Sequence, residues 1–321
     1  MNLKLNLKLM AAVAATGASA ALFGADLGRY MLPDADLVLV SVSDRGSRGG
    51  CSRALEASGS KGLVDQLLET AVAKAKDPAR AKAALAKFGE YAGLLGRDAV
   101  RVETAVSAKA VPGKLLPDVR FSAAIAGLSS PGEALARAAA EFPDALGFDG
   151  GVLKSRGAGV QAWVEDGVLR LADVRTPRTA AAASVYRAGS PFGRLLARTS
   201  GKPFFALRIG APADIFRRFA SPEQIRAVEG DPNLAGLLKV RMLGFEVAED
   251  DVRPVLHERF VVRFDGPDAA QAAADRVKGL KALDGLAVRV KGDRLVLPLE
   301  VDAQTQIDQL RKQLDAWAAH R

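Results

Sequence analysis

The side chains in this sequence that could do chemistry are few and scattered. Ser58-Gly59-Ser60-Lys61 matches Ser-x-x-Lys, a spacing in which a lysine amine can activate a serine hydroxyl. The companion Ser-Asp-Asn and Lys-Thr-Gly elements are missing, and helix capping by Ser58 or Ser60 accounts for the serines without catalysis. His257 stands at the entrance to a strand-like run and His320 at the C-terminus; they are the only two histidines. With a single cysteine, Cys51, they give no ligand spacing for zinc. The acidic pairs Glu165-Asp166 and Glu249-Asp250-Asp251 sit in turn-like stretches, where adjacent carboxylates serve solvation. The sequence therefore names no catalytic residue, no metal ligand and no cofactor.

One pattern is more specific. In Glu258-Arg259-Phe260-Val261-Val262-Arg263-Phe264, strand parity puts Arg259 and Arg263 on one side and Phe260 and Phe264 on the other. Arg289 and Lys291 alternate against Val288 and Val290 in the same sense. If these strands share a sheet with its phenylalanines toward helices, Arg259, Arg263, Arg289 and Lys291 form a basic stripe on the open face, with Arg241 a candidate fifth member. Such a stripe suits an acidic partner; solvated arginines that keep a sheet from sticking are the competing reading. Gly46, Gly49 and Gly50 between Arg45 and Arg48 could likewise form a small anion nest beside Cys51, against the simpler reading of a surface loop.

The elements that must position these residues repeat themselves in order. Arg101 to Phe121 and Val240 to Phe260 are each 20 residues apart. The hairpin-like pairs Val164–Leu171 and Val290–Leu297 also match. Each half reads strand, helix, strand, strand, helix, strand, strand, helix, which points to an internal duplication. The expected fold class is α+β: two tandem similar units, with largely antiparallel sheets, helices on one face and a ferredoxin-like split βαβ flavour. The expected boundaries are 30–200 and 201–321. Predicted strands include Leu37–Val42, Val100–Val106, Val119–Ile125, Phe204–Ile209, Lys239–Val247 and Arg259–Phe264. Predicted helices include Pro131–Glu141, Pro212–Phe219, Pro222–Val228 and Pro267–Leu280, and a closing amphipathic helix carries Ile307, Leu310, Leu314 and Trp317 on one face.

Residues 1–20 read as a signal peptide: Lys4 and Lys8, an apolar run from Leu9, then Ala18-Ser19-Ala20. The run falls short of the ~20 strongly apolar residues of a membrane span. Cleavage gives a periplasmic or extracellular protein; an uncleaved segment would be an inner-membrane anchor. One cysteine allows no internal disulfide, so the fold must rest on its core. The formal charge of +8 becomes +6 without Lys4 and Lys8, which favours acidic partners. At 6% aromatic residues the chain is poorly supplied with stacking platforms, so nucleic acid is not the expected partner.

The opening Leu32-Pro33-Asp34-Ala35-Asp36 with its Val-rich strand, and the closing strand, Ala-rich helix and hairpin of Phe260–Leu299, resemble a loose group of exported bacterial proteins of uncharacterised function. The resemblance implies an exported, non-enzymatic role and transfers no catalytic residue. The expected function is a non-catalytic binding or structural protein of the bacterial envelope, engaging an acidic envelope protein or polymer. Two alternatives stay open. One is an envelope hydrolase or transferase built on Ser58 and Lys61, or on His257 with carboxylates. The other is a carrier of an apolar ligand lined by Phe121, Phe260 and Phe264.

Overall fold

Leu37-Val38-Leu39-Val40-Ser41-Val42 is apolar on both parities, and a strand of that composition must be covered on both sides. In the computed structural model it is β1 (Leu37–Ser43), the sixth strand across a twelve-stranded antiparallel sheet. The structure describes residues 32, 34–43, 100–111, 117–157, 159–176, 186, 190–196, 204–231, 234–250, 252–279 and 287–302. Individual positions between 72 and 86 and between 304 and 316 are described as well. The predicted signal segment, the Ser58–Lys61 motif, the Cys51 loop and most of the predicted helices around Leu63–Phe88 and Thr179–Tyr186 lie outside the described residues. So does the apolar stripe of the closing helix.

The remaining strands are β2 (Val100–Lys109), β3 (Asp118–Ala126), β4 (Leu146–Asp149), β5 (Val152–Ser155), β6 (Val160–Glu165), β7 (Val168–Asp173), β8 (Phe204–Gly210), β9 (Val240–Glu249), β10 (Val255–Phe264), β11 (Arg289–Lys291) and β12 (Arg294–Asp302). They lie in the order β11-β12-β10-β9-β8-β1-β2-β3-β7-β6-β5-β4. The labelled helices are α1 (Pro131–Glu141), α2 (Pro191–Leu196), α3 (Pro212–Phe219), α4 (Pro222–Gly230) and α5 (Pro267–Lys278), with a 3-10 turn at Ala235–Lys239. All five open on proline, whose fixed φ suits a first turn and whose missing N–H would have no partner there. Ser221 and Gln224 add a reciprocal capping box to α4.

The α+β class and the antiparallel sheet agree with the sequence reading. The strands from both expected units join into one sheet through the β1–β8 pair. Outward from that pair the order is β1-β2-β3-β7-β6 one way and β8-β9-β10-β12-β11 the other, with β5 and β4 extending the first wing. The registers match too. Val106 opposes Phe121 as Phe245 opposes Phe260, and Val164 opposes Leu169 as Val290 opposes Leu295.

The split βαβ flavour is corrected in one respect. That arrangement holds its first two strands parallel and apart, whereas β1 and β2 are antiparallel neighbours along their whole length. Helix placement is also richer than expected. Leu135 of α1 packs on Ile125, Ala162 and Leu169, and Ala270 and Ala274 of α5 pack on Phe264 and Leu295, all on one face. On the opposite face α2 sets Phe192 and Leu195 against Val38, Val40, Val42 and Ala206, covering one of the two apolar faces of β1. The hairpin β4–β5 was not foreseen. Its Gly150-Gly151 turn holds φ of 55° and 76°, the double positive φ that primed turns require.

Candidate anion-binding face

Phe264 faces α5, so the alternate residues of β10, Arg259, Val261 and Arg263, face away from it. Cross-strand pairing carries that face outward. Arg259 opposes Pro298, Arg263 opposes Arg294, Arg294 opposes Lys291, and Arg289 opposes Val296. The four stripe residues expected from sequence, Arg259, Arg263, Arg289 and Lys291, therefore share one face of the β10–β12–β11 wing. Arg294 joins them and was missed. Its signal was present: it follows the two-residue turn Gly292-Asp293 and must oppose Lys291. Arg241 does not join, because the register slips at Arg263/Phe264 and Arg241 is the extra residue, ion-paired to Asp265.

The five cations are not equivalent. Glu246, 7% exposed, accepts hydrogen bonds from both Arg208 and Arg259, so the charge of Arg259 is largely matched. Gly244 makes this possible. Arg208 lies across it, and a Cβ at Gly244 would stand 2.7 Å from a guanidinium nitrogen. Arg263 donates through Nε to Asp293 at 2.5 Å, and Arg294 Nε lies 3.6 Å from the other Asp293 oxygen. The hydrogen bond from Arg263 holds the Asp293 carboxyl below its ordinary value, against a smaller opposing effect of burial. Arg289 and Lys291 are exposed, with no carboxylate at ion-pair distance among the described residues. The corner formed by Arg263, Arg289, Lys291 and Arg294 thus holds four cations, of which only Arg263 and Arg294 meet a carboxylate, that of Asp293, among the described residues.

A second polar cluster explains the Leu32–Asp36 segment. Leu32 is fully buried; its N–H donates to Ser122 Oγ at 2.9 Å, and its carbonyl accepts from the Tyr186 hydroxyl at 2.6 Å. Asp34 meets Arg120 and Lys109, while Asp36 accepts from the Ala108 N–H and pairs with Arg218 of α3. Burial pushes the Tyr186 phenol well above its ordinary value, and the charges of Asp34 and Glu103 add to that. These groups are bonded to one another and to backbone, which makes the segment a clasp across β2, β3 and α3.

Among the described residues the other candidate chemistry is not assembled. His257 sets Nε2 3.0 Å from Asp250 and Nδ1 3.5 Å from Glu300, so both ring nitrogens face carboxylates and neither faces a nucleophile. Asp250 is held far below the usual carboxylate range by the N–H groups of Arg253 and Val252, then by His257, as a turn-capping residue is. Among the described residues no cluster of three or more His, Cys, Asp or Glu side chains could hold a metal ion. Phe121 on β3 and Phe260 on β10 share a face but stand five strand spacings apart, about 24 Å, so they do not line one cavity. Phe260 is 41% exposed and stacks on Phe245 with centroids 4.7 Å apart.

No family model matches this chain, and no curated protein matches it. Among solved structures, crystal form I of TP0453 is similar over 92% of this chain and 99% of that chain, at 11% identity and a TM-score of 0.46. Crystal form III of TP0453 is similar over 87% of this chain and 94% of that chain, at 11% identity and a TM-score of 0.42.

Proposed function

We propose that this chain is an exported, non-catalytic binding or structural protein of the bacterial envelope. Its acidic partner, a protein or polymer, docks on the sheet face that carries Arg263, Arg289, Lys291 and Arg294. One observation carries the reading. Lys291, Arg294 and Arg263 occupy directly opposed positions on three adjacent strands, with only Asp293 among them. Like charges placed opposite one another destabilise a sheet, so such a row is expected where an incoming anion offsets the repulsion. Export is supported by the Lys4/Lys8 and Ala18-Ser19-Ala20 pattern, and no helix among the described residues is long and apolar enough to cross a membrane. The matching strand orders and registers of the two wings support descent from one duplicated unit.

The test is binding of the mature chain to an acidic polymer such as poly-glutamate or polyphosphate across ionic strength. Affinity should fall steeply as salt rises and fall further in Lys291→Glu and Arg294→Glu. Binding that ignores salt, or that survives both reversals, would remove this face as the docking surface.

A further inference from the structure

We propose that the corner recognises phosphoryl groups carried in close succession on a polyanion, rather than carboxylates. This rests on the acidic-partner reading above and narrows it.

The spacing comes from the sheet. Opposed residues on neighbouring strands hold their Cα atoms about 5 Å apart, which sets Lys291, Arg294 and Arg263 in a row about 10 Å long. Arg289 sits two residues from Lys291 along β11, about 7 Å away. Side chains of this length, rooted so closely, bring three guanidinium groups and one ammonium over the same patch of surface. The floor beneath them is Val261 and Val296, which compete for no anion.

The chemistry of the donors decides what fits. Asp293 shows how a carboxylate uses the corner: it takes the Nε side of Arg263 and lies beside the Nε of Arg294. The terminal nitrogens of both guanidinium groups remain as donors, joined by Arg289 and by Lys291. A carboxylate offers two oxygens and so joins two guanidinium groups, as Glu246 joins Arg208 and Arg259. A terminal phosphoryl group presents three outward oxygens, one more than a carboxylate, and so can bridge donors arriving from three strands. Charge agrees with shape. Four cations and one carboxylate leave an excess of three positive charges, which one carboxylate matches poorly. A terminal phosphoryl group carries about −1.5 to −2 at neutral pH, so two such groups at the ends of one short polyanion match it closely.

The experiment measures binding of the mature chain to inorganic tripolyphosphate by calorimetry, beside poly-glutamate at equal total charge. A third arm uses phosphatidylcholine vesicles doped with phosphatidic acid. The expected result is tripolyphosphate binding at least about tenfold tighter than poly-glutamate. It should weaken by a similar factor in the triple variant Arg289→Gln, Lys291→Gln, Arg294→Gln. If that variant loses its native circular dichroism, Lys291→Gln alone, at the exposed sheet edge, carries the test with a several-fold loss. Poly-glutamate binding as tightly as tripolyphosphate overturns the phosphoryl assignment and leaves the acidic-partner reading standing. Failure of both polyanions overturns both readings. Retention on doped vesicles without tripolyphosphate binding also overturns the assignment, because a charged surface and not a compact site would then be recognised. Tripolyphosphate binding unchanged by the substitutions would place the site elsewhere and overturn it too.

Discussion

Glu246 shows how much one residue organises. It is buried between Arg208 and Arg259, so removing its charge takes away the carboxylate that both arginines are bonded to. Breaking a buried pair in this way costs about 3 kcal/mol. Glu246→Gln should lower the urea midpoint accordingly, with little change in slope. Gly244→Ala tests the same triad from its floor. Alanine is normally favoured over glycine in a strand, but here its methyl group must displace the Arg208 guanidinium. A net loss of about 1–2 kcal/mol is expected from the disturbed ion pair, and a gain in stability would show that Arg208 relocates freely. Of the stripe, parity made Arg259, Arg263, Arg289 and Lys291 legible. The matching of Arg259 by Glu246 was not legible, because that pair joins residues 13 apart through a register only the folded sheet defines.

The Leu32–Asp36 clasp adds a pH dependence. Burial alone would raise the Asp34 carboxyl; the hydrogen bond from Lys109 and the charges of Arg120 and Lys109 outweigh it and hold the group below its ordinary value of 3.8. The folded chain therefore binds fewer protons here than the unfolded chain does. The stabilisation is complete above the unfolded pKa, near 4, and fades as pH falls through the lower folded value. Asp34→Asn should reduce stability at neutral pH and flatten the stability curve below about pH 4. An acid limb as steep as that of the parent chain would show that the clasp contributes nothing to it.

At the scale of elements, helix starts were legible at Pro131, Pro212, Pro222 and Pro267, whereas Gly189-Ser190-Pro191 reads as a break in sequence and Pro191 instead opens α2. The helices Pro131–Glu141 and Pro212–Phe219 fall where the sequence places them, because proline fixes one end and the apolar pattern the length. The β4–β5 hairpin was missed for a physical reason. Each strand has four residues, too few to establish a period, and only the Gly150-Gly151 pair marks the turn. Helix α4 differs from the others because it has no buried side chain. Its persistence depends on its caps, so Ser221→Ala should destabilise it by about 1 kcal/mol. Hydrogen exchange at the amides of Ile225–Gly230 should quicken correspondingly, while β8 and β9 keep their protection.

At the scale of the molecule, the two expected units cannot be pulled apart along a linker. The β1–β8 pair is a run of sheet hydrogen bonds, and Phe192 and Leu195 of α2 cover Val40 of one wing and Ala206 of the other. Heating should therefore give one transition, coincident by tryptophan fluorescence and by far-ultraviolet dichroism. Two separated steps would mean that the wings unfold independently. One straight row on the α2 face reads Arg259, Glu246, Ala206, Val40, Glu103, Ala124, Arg170, crossing from one wing to the other. The hairpins at Glu165-Asp166-Gly167 and Lys291-Gly292-Asp293 were legible from their turn residues. The choice of one sheet over two was not, because it depends on an edge-to-edge contact that leaves no local pattern.

Twelve is an even number, and in an antiparallel sheet that parity has a consequence for growth. The outermost strands β11 and β4 run in opposite directions, so a further copy placed in the same orientation beside either border would continue the alternation without a mismatch. Direction offers no barrier to endless lateral stacking. Length does. Three residues at one border and four at the other leave too few backbone groups for a lasting seam, and Arg289 and Lys291 add charge to the first. Among the described strands, the brevity of the two outermost ones works against lateral growth of this wide sheet.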